Sequence, residues 1–203
     1  IKSEPIIRVG IILPADKISS IKIDITDNFK YLFNDTESSG ELAIRSESNS
    51  ILINDVLFDE IKLTAFNNNN YLLIDSVPAG RGFHWQKSVI TKLLGNIIIK
   101  NIDGYIFLIN ELPIEKYLPC VATAEMNPDC PIELLEAQTI AARSWLMANL
   151  KANHPDLNID VCNDDCCQRY QGIVDVPQSS SKAIENTYGE FIVYNDEICD
   201  ARY

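Results

Sequence analysis

The stretch ATAEMNPDCPIELLEAQTIAARSWLMANL, residues 122–150, decides how the rest of the chain is read. Pro128 keeps Asn127 from continuing a helix, so a helix arriving from the N-terminal side should break near Ala124 or Glu125. Pro131 suits the first position of a new helix, where its missing N–H has no intrahelical partner to lose. That spacing makes Cys130 the expected N-cap and puts Glu133 in the first turn, with Asp129 near the positive helix end. From Pro131 to Leu150 neither Gly nor Pro intervenes, and Ala, Leu, Glu and Gln dominate. The pattern predicts a helix of about twenty residues, roughly 30 Å long. Leu134, Ala137, Ala141, Ser144 and Ala148 recur at three- and four-residue steps and form the expected buried face, slim enough for close backbone approach. Glu125 then stands at a helix–loop junction beside a buried helix. A catalytic acid is often found in such a place, although a lone Glu in a loop is more often simply solvated.

Working outward, the 203 residues are enough to bury a core as one domain or as two closely packed ones. A hydrophobic share of 46% with 23% charged residues is that of an ordinary globular chain. Seventeen Lys and Arg against 29 Asp and Glu give a net charge of −12. Such a surface disfavours nucleic acid and anionic membrane as partners. The sequence begins with Ile and shows no basic-then-apolar leader, and its apolar runs are too short to span a bilayer.

Before the decisive stretch, residues 1–112 read as β-rich. Ile6–Leu13, Ile21–Ile25, Glu41–Arg45, Ile51–Ile53, Ile61–Ala65, Tyr71–Ile74, Asn96–Lys100 and Tyr105–Ile109 are short apolar segments parted by turn residues. Ile21-Lys22-Ile23-Asp24-Ile25 alternates strictly and should have one wet face. Asn67 to Asn70 is a turn, and Asp103-Gly104 is a hairpin signal. Gly82-Phe83-His84-Trp85, next to Arg81, reads as a strand with its rings in the core, with a ligand role as the alternative. Residues 113–124 read as a short helix opened by Pro113. Ser179–Tyr188 reads as another, with serine caps, Ala183, Ile184 and Thr187 on one face and Gly189 as its stop. A terminal hairpin is expected around Asn195-Asp196. The fold class is therefore α+β, a β-rich N-terminal half packed with a helical segment built on one long helix.

Several motifs are more specific than this. Asn110 to Leu118 resembles the "N-x-L-x-L-E-x-Y-L" opening of the SpoIID/LytB family. Ala124-Glu125-Met126 resembles its "S/A-E-M" signature, and Leu135 to Trp145 its "L-K-A-Q-A-V-A-A-R-T-Y" helix. Cys162 through Gly172 is similar to its "C-x-x-x-x-x-Q-x-Y-x-G" block, Ala183 to Gly189 to "A-v-x-x-T-x-G", and Gly95 with Ile97 to Ile99 to an upstream "G-x-L-x-V" strand. The likeness runs in family order over residues 80–203. It divides the chain into a β-rich region, 1–79, and a catalytic region, 80–203.

The resemblance implies an extracytoplasmic lytic transglycosylase acting on peptidoglycan glycan strands, including strands stripped of stem peptides. A non-catalytic wall-binding module that enhances a partner cell-wall amidase, as described for LytB-type members, is the alternative. Carried over residue by residue, the catalytic acid falls on Glu125, and Arg143, Gln168 and Tyr170 become expected substrate-binding positions. The family's helix lysine is replaced by Glu136. The chain stops at Ala201-Arg202-Tyr203 where the family continues into a "GG" segment, so part of the cleft is expected beyond Tyr203. The reaction needs one carboxyl group, because the nucleophile is a hydroxyl of the substrate itself. Glu125 is therefore expected in a semi-apolar cleft that raises its pKa, with Met126, Tyr117 or Trp145 as lining. Arg143 has two roles open to it: holding a lactyl carboxylate or bonding carbonyls of the junction loop.

Six cysteines, Cys120, Cys130, Cys162, Cys166, Cys167 and Cys199, all lie in the second half. Cys162, Cys166 and Cys167 with His154 upstream are the ligand types zinc prefers, and the resemblance makes a structural zinc plausible there; catalysis itself would require none. Adjacent Cys166 and Cys167 are awkward co-ligands, since successive side chains usually diverge. In an oxidising envelope the thiols have disulfides open to them instead, with Cys199 or between Cys120 and Cys130.

Overall fold

A computed structural model describes residues 3–25, 30–33, 36–67, 69–127, 129–173 and 176–202. Pro128, Asn68 of the asparagine turn and Tyr203 lie outside them. Along the chain run β1 (Ile6–Ile12), β2 (Ser20–Ile25), β3 (Tyr31–Phe33), β4 (Thr36–Ser38), β5 (Gly40–Glu47), β6 (Ser50–Ile53), β7 (Val56–Phe58), β8 (Glu60–Ala65), β9 (Tyr71–Ala79), β10 (Lys87–Leu94), β11 (Asn96–Ile102) and β12 (Tyr105–Pro113). They are followed by α1 (Ile114–Glu125), α2 (Ile132–Ala148), β13 (Val161–Cys162), α3 (Gln178–Asn186), β14 (Val193–Tyr194) and β15 (Glu197–Ile198). The protein is α+β, as its sequence pattern requires. No described helix is long and apolar enough to cross a membrane.

The chain divides into two compact units, Arg8–Leu112 and Ile1–Ile7 with Pro113–Tyr203. The division thus falls after Leu112, whereas the sequence reading placed it after Ala79. A cut there would separate β9 from β10, which pair antiparallel with Lys87 opposite Ala79.

In the β unit one sheet runs β1-β12-β11-β8-β3-β4 and another β10-β9-β2-β5-β6-β7. Strand β2 alternates as its sequence demands: Ile21, Ile23 and Ile25 are buried while Lys22 and Asp24 face solvent. Strand β11 carries the run Ile97-Ile98-Ile99, buried between β12 and β8. Asp103 and Gly104 have φ of 53° and 84° and close the β11–β12 hairpin, the geometry of a type I′ turn. Gly95 also has positive φ, and a Cβ there would collide with the carbonyl of Glu111.

Two expectations are corrected here. Strand β10 escaped the sequence reading because its alternation is broken by a register shift between Val89 and Thr91, which turns Ile90 out to solvent. The Gly82–Trp85 segment is no core strand. It lies in the connection between β9 and β10, where Phe83 and Trp85 stack on each other at 5.5 Å and remain partly exposed.

In the helical unit, α1 starts after Pro113, whose φ of −60° and ψ of 144° are those of an extended cap. Three helices pack pairwise. Thr123 Oγ1 of α1 lies 3.4 Å from Ser180 Oγ of α3. Asn186 of α3 donates to Glu136 of α2 at 2.6 Å, so the residue that departs from the family's lysine ties two helices. Helix α3 starts one residue before the expected Ser179, with Pro177 as a cap that makes no side-chain bond. The terminal hairpin forms as expected, with Asn195 and Asp196 at φ 50° and 63°.

The long helix has 17 residues, and Pro131 rather than Cys130 is its N-cap, because Pro131 itself has an extended ψ of 142°. Its buried face is also displaced from the expected one. Leu135, Thr139, Ala142, Arg143 and Leu146 are buried, whereas Leu134, Ala137 and Ala148 are exposed and only Ser144 of the expected set is buried. Both sets satisfy helical spacing, and the set carrying Leu135 and Leu146 removes more apolar surface from water. Ala142→Leu should therefore overpack the interior and lower stability by about 1–3 kcal/mol. Leu134→Ser should change it by less than about 0.5 kcal/mol. Urea denaturation of the two variants checks the assignment, and equal losses would return the buried face to the other stripe.

Candidate functional site

Helix α1 ends at Glu125 because Met126 turns extended (φ −123°, ψ 147°) while its N–H still donates to the Ala122 carbonyl at 2.9 Å. Asn127 Oδ1 then accepts from the Asp129 N–H at 3.0 Å, a turn that aims the chain toward α2. The half-buried Glu125 carboxylate is held from two sides. Gln138 Nε2 of α2 donates to Oε2 at 3.4 Å, and the Arg169 backbone N–H donates to Oε1 at 3.3 Å.

Glu125 opens onto a cavity of about 500 Å³ lined by Trp145, Asn149, Asn153, Asp165, Cys166, Cys167, Gln168 and Arg202. Of the lining expected from sequence, Trp145 is present. Tyr117 is buried outright, and Met126 is not among the lining residues. Most of the wall is polar, with Trp145 as its one large apolar surface. Asn149 and Asn153 were not read from the sequence, yet Trp145, Asn149 and Asn153 recur at four-residue steps running off the C-terminal end of α2. That spacing was the available signal.

The other expected site residues behave differently. Arg143 has no solvent exposure. Its Nε and Nη2 donate to Glu115 Oε1 and Oε2 at 2.9 and 2.7 Å, and Nη1 donates to the Glu190 carbonyl at 3.2 Å. Tyr170 is buried with its ring stacked on Tyr117 at 5.0 Å. Gln168 touches the cavity but is itself 2% exposed, accepting from Tyr117 Oη at 3.2 Å and donating to the Ala142 carbonyl at 3.0 Å. Arg143 and Tyr170 thus act inside the protein, and only Glu125 and Gln168 of the four reach the cavity.

The cysteine segment forms the adjoining wall. His154, Cys162, Cys166 and Cys167 bring their ligand atoms within 4.8 Å of one another. Cys162 Sγ and Cys166 Sγ are 3.1 Å apart, and Cys166 Sγ is 3.7 Å from His154 Nε2. Adjacent Cys166 and Cys167 converge because they sit in a turn, closed by the Cys167 N–H to the Asp164 carbonyl at 2.9 Å, where strand divergence does not apply. All six cysteines are unbridged in the structure. Hydrogen bonds from Cys162 and Cys166 hold the Cys167 thiol far below the usual thiol range, at about 2, while the same contacts push Cys162 up. A lowered thiol favours the thiolate, the form that binds metal. Cys120, by contrast, is pushed up to about 12 by burial. Asp165 belongs to the same segment, with both carboxylate oxygens taken by Arg169 at 2.9 and 3.0 Å.

Residues 103–194 match the SpoIID family model, described as stage II sporulation protein. An uncharacterized protein of Brachyspira hyodysenteriae is 34% identical over 104 residues, which cover 51% of this chain and 28% of that protein. The matched part is therefore less than a third of the relative's length.

The burial of Arg143 has a measurable consequence. Arg143→Met keeps the aliphatic stem but leaves the Glu115 carboxylate without its partner, and should cost about 3–5 kcal/mol. The loss should appear in urea denaturation with no ligand present. An unchanged midpoint would mean that Arg143 is not bracing the helices.

Proposed function

We propose that this chain, whose residues 103–194 match the SpoIID family model, is a peptidoglycan lytic transglycosylase with Glu125 as its single acid and base. The family supports a sporulation-associated, cell-wall-related function and a peptidoglycan substrate in general. The finer reading rests on one observation: Glu125, at the end of α1, is oriented by Gln138 and Arg169 against an open cavity. The proposed site of action is the cell envelope, where such a substrate lies.

In this reading the Glu125 carboxyl protonates the glycosidic oxygen between N-acetylmuramic acid and N-acetylglucosamine as that bond breaks. The resulting carboxylate then takes the proton of the muramic 6-hydroxyl, whose oxygen closes on the anomeric carbon. The products are a free 4-hydroxyl and a 1,6-anhydro ring, with no water consumed and the acid regenerated. Gln138 and the Arg169 N–H hold the carboxylate in place through both steps.

Glu125→Gln should abolish release of 1,6-anhydro product from stem-free glycan strands, read by mass spectrometry, with the thermal midpoint unchanged. Anhydro product from the variant would sink the assignment. A parent protein that releases none but accelerates a cell-wall amidase would favour the wall-binding alternative.

A structural zinc at His154, Cys162, Cys166 and Cys167 forms part of the proposal. Three thiols and an imidazole within 4.8 Å of one another are the donor set that would hold a structural zinc. Bound zinc would pin the turn that carries Arg169 to Glu125. Protein purified without added metal should carry close to one zinc, and its affinity should fall toward pH 5 as protons compete for the thiolates. Disulfides instead predict no zinc and a mass deficit of about two hydrogens per bridge that reductant restores.

A further inference from the structure

The connection between β9 and β10 carries two large aromatic side chains that the core does not take up. Phe83 is 49% and Trp85 36% exposed, and their rings stack at 5.5 Å with 19° between their planes. The loop that carries them is nevertheless held tightly. The Phe83 N–H donates to the Gly80 carbonyl at 3.1 Å, the Gln86 N–H to the Phe83 carbonyl at 3.0 Å, and the Gly82 N–H to Gln86 Oε1 at 3.0 Å. Arg81 anchors the loop to the strand unit. Its Nε and Nη2 donate to Asp16 Oδ1 and Oδ2 at 2.6 and 2.8 Å, and Nη2 also to the Ile11 carbonyl at 2.9 Å. Gly80 has a φ of 70°, and a Cβ there would run into the Trp85 ring, so the indole lies directly on backbone. Apolar rings fixed at the surface in one arrangement lose little freedom when a ligand covers them.

Beside the loop lies a cavity of about 360 Å³ lined by Asp16, Ile18, Pro78, Gln86, Lys87 and Ser88. What its side chains have left to offer is mostly donors. Gln86 has given its Oε1 to the Gly82 N–H, which leaves the amide nitrogen. Lys87 is exposed and makes no ion pair among the described residues. Asp16, the carboxylate in the lining, is matched where it stands: Arg81 takes both oxygens, and the Leu13 N–H donates to Oδ2 at 2.7 Å. Lys17, exposed and likewise without an ion pair, adds positive charge next to it. On a chain of net charge −12, two unopposed lysines beside a donor-rich cavity favour an anionic ligand.

A ligand that fits both parts brings a C–H face for the rings and an acceptor-rich, negatively charged rim. The partly positive C–H groups of a pyranose meet the negative face of an aromatic ring, and a carboxylate on the sugar meets the lysine. A lipid surface also takes aromatic and lysine side chains, but it has no use for a polar cavity or for rings that cover one another.

We infer that Phe83, Trp85 and Lys87 form an accessory site on the β unit that grips a carboxylate-bearing glycan strand, the rings seating a pyranose face and Lys87 pairing with the carboxylate. The site shares no lining residue with the Glu125 cavity and takes no part in the proton transfers. Its ligand class stands on these residues; that the strand is peptidoglycan rests on the proposed function. A second hold on the same polymer raises affinity for long strands and leaves the chemical step alone.

Trp145→Phe leaves Trp85 as the one tryptophan, and Glu125→Gln keeps strands from being consumed. Titrating this double variant with stem-free glycan strands, whose muramic residues carry lactyl carboxylates, should give a saturable change in Trp85 emission that weakens as salt is raised. The hexamer of N-acetylglucosamine, which lacks the carboxylate, should bind on the order of ten-fold more weakly. Phe83→Ala and Lys87→Ala should each weaken strand binding on the order of ten-fold, and Lys87→Arg should keep most of it. In protein that retains Glu125 and Trp145, Lys87→Ala should raise KM for long strands and spare kcat. Silent Trp85 emission in a protein whose parent still releases anhydro product would overturn the site and leave the Glu125 reading standing. A response to phosphatidylglycerol vesicles but not to strands would overturn it too, as would hexamer binding as tight as strand binding. A Trp85 response that Phe83→Ala and Lys87→Ala both weaken, in a protein whose parent releases no anhydro product, would keep the site and remove the Glu125 reading. Neither response nor product would remove both.

Discussion

A guanidinium sealed from water has to be matched group by group, and the helical unit is arranged around meeting that demand for Arg143. Its partners come from two places: the Glu115 carboxylate in the first turn of α1 and the Glu190 carbonyl after α3. Glu115 Oε1 also lies 3.4 Å from the Gly189 N–H. A buried pair of this kind adds little net stability over a well-packed apolar alternative, but leaving one member without the other is costly. Its effect is on geometry. Only one rotation of α2 about its axis satisfies Arg143, and that rotation also decides what the opposite side of the helix presents.

Residues on an α-helix turn by about 100° each. With Arg143 facing inward, Trp145 stands roughly 200° away, and Gln138 and Asn149 share its stripe. These are the residues that meet Glu125 or line its cavity. The inward demand of one charged side chain thus sets the outward face that a ligand would meet. The turn from Cys162 to Tyr170 is used in a similar two-sided way. Gln168 and Tyr170 enter the interior to brace Tyr117 and the Ala142 carbonyl, Cys166 and Cys167 face the cavity, and the Arg169 N–H between them reaches Glu125.

Sequence patterning exposed the elements more fully than it exposed the faces. Strict alternation in β2, the Asp103-Gly104 and Asn195-Asp196 turns and the proline-flanked helices are local signals, and each element formed where its signal stood. The α2 stripe was misjudged because spacing offers several equivalent stripes and only the partners choose among them. Arg143 buried against Glu115, 28 residues earlier, is such a choice, and no local signal reports it. Strand β10 was hidden by a bulge for a related reason, since a register shift is made by pairing with β9 and not by the strand's own sequence. The place of Glu125 at the end of a helix was legible from the break expected there. The way Asn149 and Asn153 are held was not, because it depends on Asp200 and the Cys166 carbonyl taking up their amide nitrogens.

The carboxylates around the cavity bear on the glycan chemistry proposed for it. A hydrolase needs two available carboxyl groups, one to protonate the leaving oxygen and one to act as nucleophile or to activate water. The second carboxylate lining this cavity is Asp165, and Arg169 occupies both of its oxygens in a bidentate pair. A carboxylate so engaged is a poor base and a poor nucleophile, because reacting would break two charge-assisted hydrogen bonds. Glu125, the other carboxyl group of the cavity wall, accepts from Gln138 and from the Arg169 backbone N–H. In the proposed transglycosylase reading the nucleophile arrives within the substrate, so no second carboxyl group is called on. The Asp165–Arg169 pair then has a different use: it stiffens the turn that positions the Arg169 N–H, and through it the acid.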